Sequence, residues 1–289
     1  MKAIGWSLLL VIACAAPALA GAQAPASVPI IEHYPGGDRQ PMQARIFKPR
    51  DGDTPSPHAA IVLFHGGGWN EGEASWMDSS AAAWASEGLV AIAVDYRLSD
   101  QKSITPYQAV ADARAAMRWV RRQAARLNID PKRIAAAGTS AGGHLAASAA
   151  IFDDASDGAV PARPDALVLR SPALSIADSG WFRKLTGSDE RAAALSPDRH
   201  VRTGLPPTLV LQGEKDNVTP AAGARTFCER MRKAGNRCDL QIYPGVGHLF
   251  TRNLAQQEIP DYPSIDEAVS RDAKAKAVAF LRELGFIGR

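Results

Sequence analysis

Three separated stretches of the 289-residue chain carry side chains able to break a bond at a carbonyl carbon. The first is Gly138-Thr139-Ser140-Ala141-Gly142, which lies between an apolar run and a small-residue helical run. A serine hydroxyl is a weak nucleophile, so it needs a base, a carboxylate to orient that base, and donors for the oxyanion it creates. His248, in the glycine-rich loop Gly245-Val246-Gly247-His248, is the candidate base, and Asp216, just past the apolar run 208–212, is the candidate acid. His65-Gly66-Gly67-Gly68-Trp69 supplies consecutive glycines whose backbone N–H groups can turn toward developing negative charge. Gly66 and Gly67, with the N–H of Ala141, are the expected oxyanion donors. The chemistry these types permit is acyl transfer through a covalent serine intermediate.

Each assignment has a competitor. A bare G-x-S-x-G arises by chance roughly 0.1 times in a chain of this size, so the pattern gains weight only from its strand-turn-helix setting. Glu214 competes with Asp216. Gly213 marks the strand end, and two further residues carry the chain over the sheet edge, which favours Asp216; its alternative role is capping the helix that follows. His248 could be an ordinary surface-loop histidine. His33, His58 and His200 sit in polar or turn-like sequence, His144 lies one helical turn past Ser140, and His65 suits bracing its loop. Trp69 beside the glycines and Trp181 farther on are candidate substrate-binding residues. Trp69 could instead fill space, and the segment holding Trp181 could be a surface helix packed on the domain.

The elements that must position these groups follow from periodicity. Short β-branched or apolar runs alternate with longer helix-period segments, the pattern of an α/β fold with a mostly parallel twisted sheet and helices on both faces. Strands are expected at 30–34, 43–48, 60–64, 89–95, 133–138, 166–171, 208–212 and 239–243, the first two joined by a turn at Pro35-Gly36-Gly37. Helices are expected at 79–87, 106–127, 141–152, 220–234 and 265–284. A polar insert at 172–204, lid-like, interrupts the alternation. No linker separates two cores, so one domain is expected over 30–289, preceded by a flexible Pro, Gly and Ala-rich segment at 21–29.

Composition narrows the function. With 22% charged and 46% hydrophobic residues and a net charge of +3, the chain can bury a full core and shows no basic stripe for nucleic acid. Residues 1–20 read as a signal peptide: Lys2, an apolar stretch, then Ala18-Leu19-Ala20. Export to the periplasm or beyond is expected, and Val11-Ile12-Ala13-Cys14 keeps open a lipoprotein route through Cys14. No later stretch is apolar enough to be a transmembrane segment. An exported chain could pair Cys228 with Cys238, the alternative being two separate buried thiols. No H-E-x-x-H, Cys/His spacing or G-x-x-x-x-G-K-[ST] is present, so neither metal nor nucleotide cofactor is expected.

The order Ser140, Asp216, His248 is that of α/β-hydrolases. Taken with HGGGW at 65–69, DYRL at 95–98, GTSAGGHLA at 138–146, LPPTLVLQGEKDNVTP at 205–220 and GVGHLF at 245–250, the chain resembles the acetyl esterase/lipase group. That group is related to hormone-sensitive lipase and includes acetylxylan and feruloyl esterases. The resemblance extends over about 43–286. It implies an α/β-hydrolase fold and a carboxylesterase acting on short-chain acyl or carbohydrate esters, small molecules or polysaccharide. Two features depart from the hormone-sensitive lipase branch. Thr139 stands where many members carry an acid, and the N-terminal part is too short for that branch's helical cap. An amidase of arylformamidase type, or a non-catalytic binding module, are the alternatives on the same fold.

Overall fold

The computed structural model describes residues 28–50, 57–152, 160–258 and 262–288. The expected signal peptide at 1–20, Cys14 and most of the expected flexible segment lie outside the described residues. Eight strands form one sheet: β1 (Ile30–Pro35), β2 (Pro41–Phe47), β3 (His58–Phe64), β4 (Val90–Val94), β5 (Ile129–Thr139), β6 (Ala166–Arg170), β7 (Thr208–Gly213) and β8 (Cys238–Tyr243). Their spatial order is β1-β2-β4-β3-β5-β6-β7-β8. β2 pairs antiparallel with both β1 and β4, and every other pairing is parallel.

The strand sequences explain this layering. All of β3 is buried, with Ala60, Val62 and Phe64 on one face and Ala59, Ile61 and Leu63 on the other. A strand apolar on both faces needs helices on both sides. The first face is covered by α2 (Pro106–Arg122), α4 (Ala141–Ile151) and α7 (Ala221–Lys233); the second by α1 (Asp78–Ser86) and α8 (Glu267–Glu283). Two short helices, α5 (Gly180–Thr186) and α6 (Asp189–Ala194), make up much of the insert.

Three expectations are revised. The helix expected over 106–127 breaks at Gln123, leaving α2 and a separate turn, α3 (Ala124–Leu127), which ends on left-handed Asn128 at φ 60°. Val120, Ala124 and Leu127 stay buried across the break, so the apolar spacing alone does not reveal it. β5 starts at Ile129 instead of 133, because His58 pairs with Ile129 before a bulge restores register at Ala60 and Ile134. His58 is not in turn-like surroundings but buried at the start of β3.

α2 opens with the reciprocal cap that its sequence invites. The Thr105 side chain accepts from the first turn, Gln108 Oε1 accepts the Thr105 N–H at 2.9 Å, and Pro106 occupies the first helical position. The DYRL segment is also structural. Asp112, fully buried, accepts from Gly37 N–H at 2.7 Å and from the Arg97 guanidinium at 2.7 and 2.8 Å, tying the β1–β2 turn to the end of β4. Cys228 and Cys238 form a disulfide between α7 and the start of β8, with Cα atoms 5.3 Å apart.

Candidate active site

β5 delivers Ser140 to the carboxyl edge of the sheet in a turn with no room for side chains around it. A Cβ on Gly138 would lie 2.1 Å from the Gly142 carbonyl oxygen, and one on Gly142 would lie 2.1 Å from that of Phe64. Only glycine permits this approach of α4 to β3 and β5. Ser140 itself is held at φ 55°, ψ −119°, a conformation that projects its hydroxyl from the turn at the start of α4.

The three sequence-predicted polar groups meet there. His248 Nε2 is 3.0 Å from Ser140 Oγ, and His248 Nδ1 is 2.9 Å from Asp216 Oδ2. With the Nδ1–H donated to the carboxylate, Nε2 is free to accept the serine proton. Asp216 and His248 are both buried. Asp216 is surrounded by donors: Oδ1 accepts from the N–H of Val218 and Thr219, and Oδ2 from Gln212 Nε2 at 2.8 Å. The following helix begins only at Ala221, so Asp216 is not its cap. Glu214 instead faces solvent beside Lys215.

Several groups that hold this constellation were not foreseen. The Thr219 hydroxyl lies 2.9 Å from Asp216 Oδ2, 3.0 Å from the Ser171 carbonyl and 3.1 Å from His248 Nδ1. After His248 the chain passes through left-handed Leu249 and Phe250, at φ 54° and 70°. That costly stretch is held by Ser171 Oγ, which accepts the Leu249 N–H, and by Arg170 Nη2, which donates to the Leu249 carbonyl at 2.7 Å. The Arg170 guanidinium also lies 4.6 Å from the Phe250 ring centre, and burial pulls its pKa down to about 10. Gln257 joins the two loops from behind. Apart from Arg170, the last residue of β6, these residues lie outside the strands and α-helices, and none carries a local sequence signal for its role.

The glycine loop after β3 is fixed by its carbonyls. His65 Nδ1 donates to the Gly66 oxygen at 2.6 Å, the Tyr96 hydroxyl donates to the His65 oxygen at 3.0 Å, and Gly67 O accepts from Asn70 and Glu71 N–H. Because a trans peptide points its N–H opposite its C=O, these bonds turn the N–H groups of Gly66, Gly67 and Gly68 away from those partners. Among the described residues none accepts from these groups or from Ala141 N–H. His65 stacks on Tyr96 with ring centres 4.2 Å apart, and burial lowers its pKa, so it braces the loop as a neutral ring.

Residues 61–252 match the alpha/beta hydrolase fold family. The chain belongs to that family. Among its solved relatives, the apo form of esterase 2 from Thermogutta terrifontis superimposes with a TM-score of 0.79 at 34% identity, covering 92% of this chain and 97% of that one. Carboxylesterase NlhH of Mycobacterium tuberculosis is 30% identical over 65% of this chain and 65% of its own length. The acetylxylan esterase of Xylanibacter ruminicola is 28% identical over 66% of this chain and 41% of its own. The chain thus spans less than two thirds of these curated relatives.

On this alpha/beta hydrolase fold the insert packs through a buried histidine. Trp69 Nε1 donates to His144 Nδ1 at 3.1 Å, which leaves the His144 proton on Nε2 to donate to the Leu195 carbonyl at 2.9 Å. Burial pushes the His144 pKa down to about 4. Phe182 of α5 closes the cluster, its ring centre 4.7 Å from that of Trp69 and 5.5 Å from that of His144. Trp69 is therefore buried between the glycine loop, α4 and the insert. Trp181 differs. It is 41% exposed, and its Nε1 donates to the Gly68 carbonyl at 3.3 Å, which places the indole at the rim of the glycine loop.

Proposed function

We propose that this hydrolase-fold protein is an exported serine carboxylesterase working through an acyl-enzyme. The relay Ser140 Oγ to His248 Nε2 to Asp216, with links of 3.0 and 2.9 Å, carries the reading. Ser140 Oγ attacks the ester carbon while His248 takes its proton, and the N–H groups of Gly66, Gly67 and Ala141 receive the oxyanion, with Gly68 N–H available as a further donor. Collapse expels the alcohol, which takes the proton from His248, and leaves the acyl group on Ser140. Water then attacks that acyl carbon, again giving its proton to His248, and the acid departs as Oγ is reprotonated. Asp216 keeps the imidazole in the required tautomer and offsets its charge once protonated.

Short acyl groups and carbohydrate or small-molecule alcohols fit best. Structures of Thermogutta terrifontis esterase 2 are named with propionate and butyrate bound, and one relative is named an acetylxylan esterase. The exposed Trp181 indole offers an apolar surface beside the glycine loop for the acyl or alcohol group. Export rests on the pattern of residues 1–20 and agrees with a disulfide between Cys228 and Cys238. Ser140→Ala is expected to abolish p-nitrophenyl acetate turnover by several orders of magnitude while leaving circular dichroism unchanged. A variant with near-full turnover excludes the assignment. Faster hydrolysis of N-formylaniline than of phenyl acetate would make the protein an amidase, and absence of fluorophosphonate labelling would make it a binding module.

A further inference from the structure

We infer that Gln257 is a positioning residue for the relay: one buried amide that sets the spacing between the acid-bearing and base-bearing loops. The inference rests on the triad reading above. Gln257 is 3% exposed and belongs to neither loop. Its Oε1 accepts the backbone N–H of His248 at 2.8 Å and that of Asn217, the residue after Asp216, at 3.2 Å. Its Nε2 donates to the carbonyl of Lys215, the residue before Asp216, at 3.0 Å, and to that of Leu254 in its own turn at 3.3 Å. Both lone pairs and both protons of the amide are thereby used, and two donors facing one end and two acceptors the other leave a single orientation of the amide.

The geometry differs from a side chain merely filling the interior. Oε1 is shared by the base's own peptide and by the peptide that follows the acid, so the two backbones cannot separate without breaking a bond to the same atom. The chain makes room for it: a Cβ on Gly247 would lie 2.4 Å from Oε1, so the residue before His248 must be glycine for the amide to approach. Backbone bonds also join the two loops, Glu214 N–H to the Tyr243 carbonyl at 2.8 Å and Lys215 N–H to the Val246 carbonyl at 2.9 Å, but neither reaches the His248 peptide. Val218 and Thr219 N–H hold Asp216, and Ser171 and Arg170 hold Leu249. Thr219 Oγ1 reaches both side chains but neither backbone of the base loop. Gln257 touches neither Ser140 nor the glycine loop, so substrate binding should not depend on it.

The test compares Gln257→Met and Gln257→Glu with the wild type, each normalised to folded protein. Gln257→Met keeps length and volume but no hydrogen bonds; kcat is expected to fall at least tenfold with KM within twofold. Gln257→Glu retains an oxygen for His248 and Asn217 N–H and loses the donation to Lys215 and Leu254, so its kcat should lie between the other two, threefold or more below wild type. If Gln257→Met does not fold, Gln257→Glu decides alone. Wild-type kcat in either folded variant, or a loss that appears in KM and not in kcat, overturns the inference. Fluorophosphonate labelling at Ser140 in the wild type is run in parallel: its failure removes the triad reading, whereas labelled wild type with unaffected variants removes only the role of Gln257.

Discussion

Asp216 and Glu214 are two residues apart and chemically alike, yet their surroundings assign them different work. Gln212, Val218, Thr219 and His248 all donate to Asp216 in a buried site, while Glu214 sits in water against Lys215. Asp216→Asn keeps the shape but presents an amide to Nδ1 and so disfavours the working tautomer. kcat/KM for p-nitrophenyl acetate is expected to drop about 10,000-fold, against a change within about twofold for Glu214→Gln. His144 makes a different prediction. Its folded-state pKa is depressed to about 4 from 6.5, so between those values the unfolded chain binds a proton that the folded chain does not. The stability from its neutral ring is complete above about pH 6.5 and is lost as pH falls toward 4, by up to about 3 kcal/mol. Urea midpoints of wild type and His144→Gln should therefore converge between pH 7 and pH 4.5; parallel curves would refute the account.

At the scale of elements, the junction of β5 with α4 is intolerant and the start of α5 is not. Gly142→Ala drives a methyl into the Phe64 and His65 carbonyl oxygens, at 2.1 and 2.4 Å, and is expected to cost more than about 3 kcal/mol or prevent folding. Gly180→Ala has only an Arg183 nitrogen at 3.9 Å and should shift stability by less than about 1 kcal/mol. Thermal unfolding of the two variants checks the contrast. The same junction shows why much of the site could be read from sequence. Gly138, Ser140 and Gly142 carry their own constraint in residue type, Asp216 follows the apolar run of β7, and His248 follows β8, where Leu240 and Ile242 alternate with Asp239 and Gln241. Gln257 and Arg170 act through long side chains reaching back to other loops, and nothing local to them encodes the destination. The setting of Trp69 is open in the sequence for a related reason. Adjacency to the glycines does not say which way the ring faces, and left-handed φ at Trp69 accompanies its burial against His144. The break at Gln123 was invisible because burial continues through it.

For the molecule as a whole, the disulfide lies at the far end of β8 from His248 and links it to α7. Replacing both cysteines by serine should lower unfolding free energy by about 2 to 3 kcal/mol, as expected for a small closed loop, and leave kcat within about twofold. Chemical denaturation with parallel kinetics separates the two effects. Ser140 and His248 stand 108 residues apart in sequence, and the loop after His248 is fastened late, by Gln257 and by the bridge from Thr251 to Ile265. During synthesis Ser140 therefore emerges long before His248, and His248 before the residues that fasten its loop. A polypeptide cut short before His248 carries the serine without its imidazole partner, and one cut between 248 and 265 carries the imidazole without the strap that fixes its loop. The proposed relay is therefore complete only in chains grown past Ile265, and half-made copies lack it.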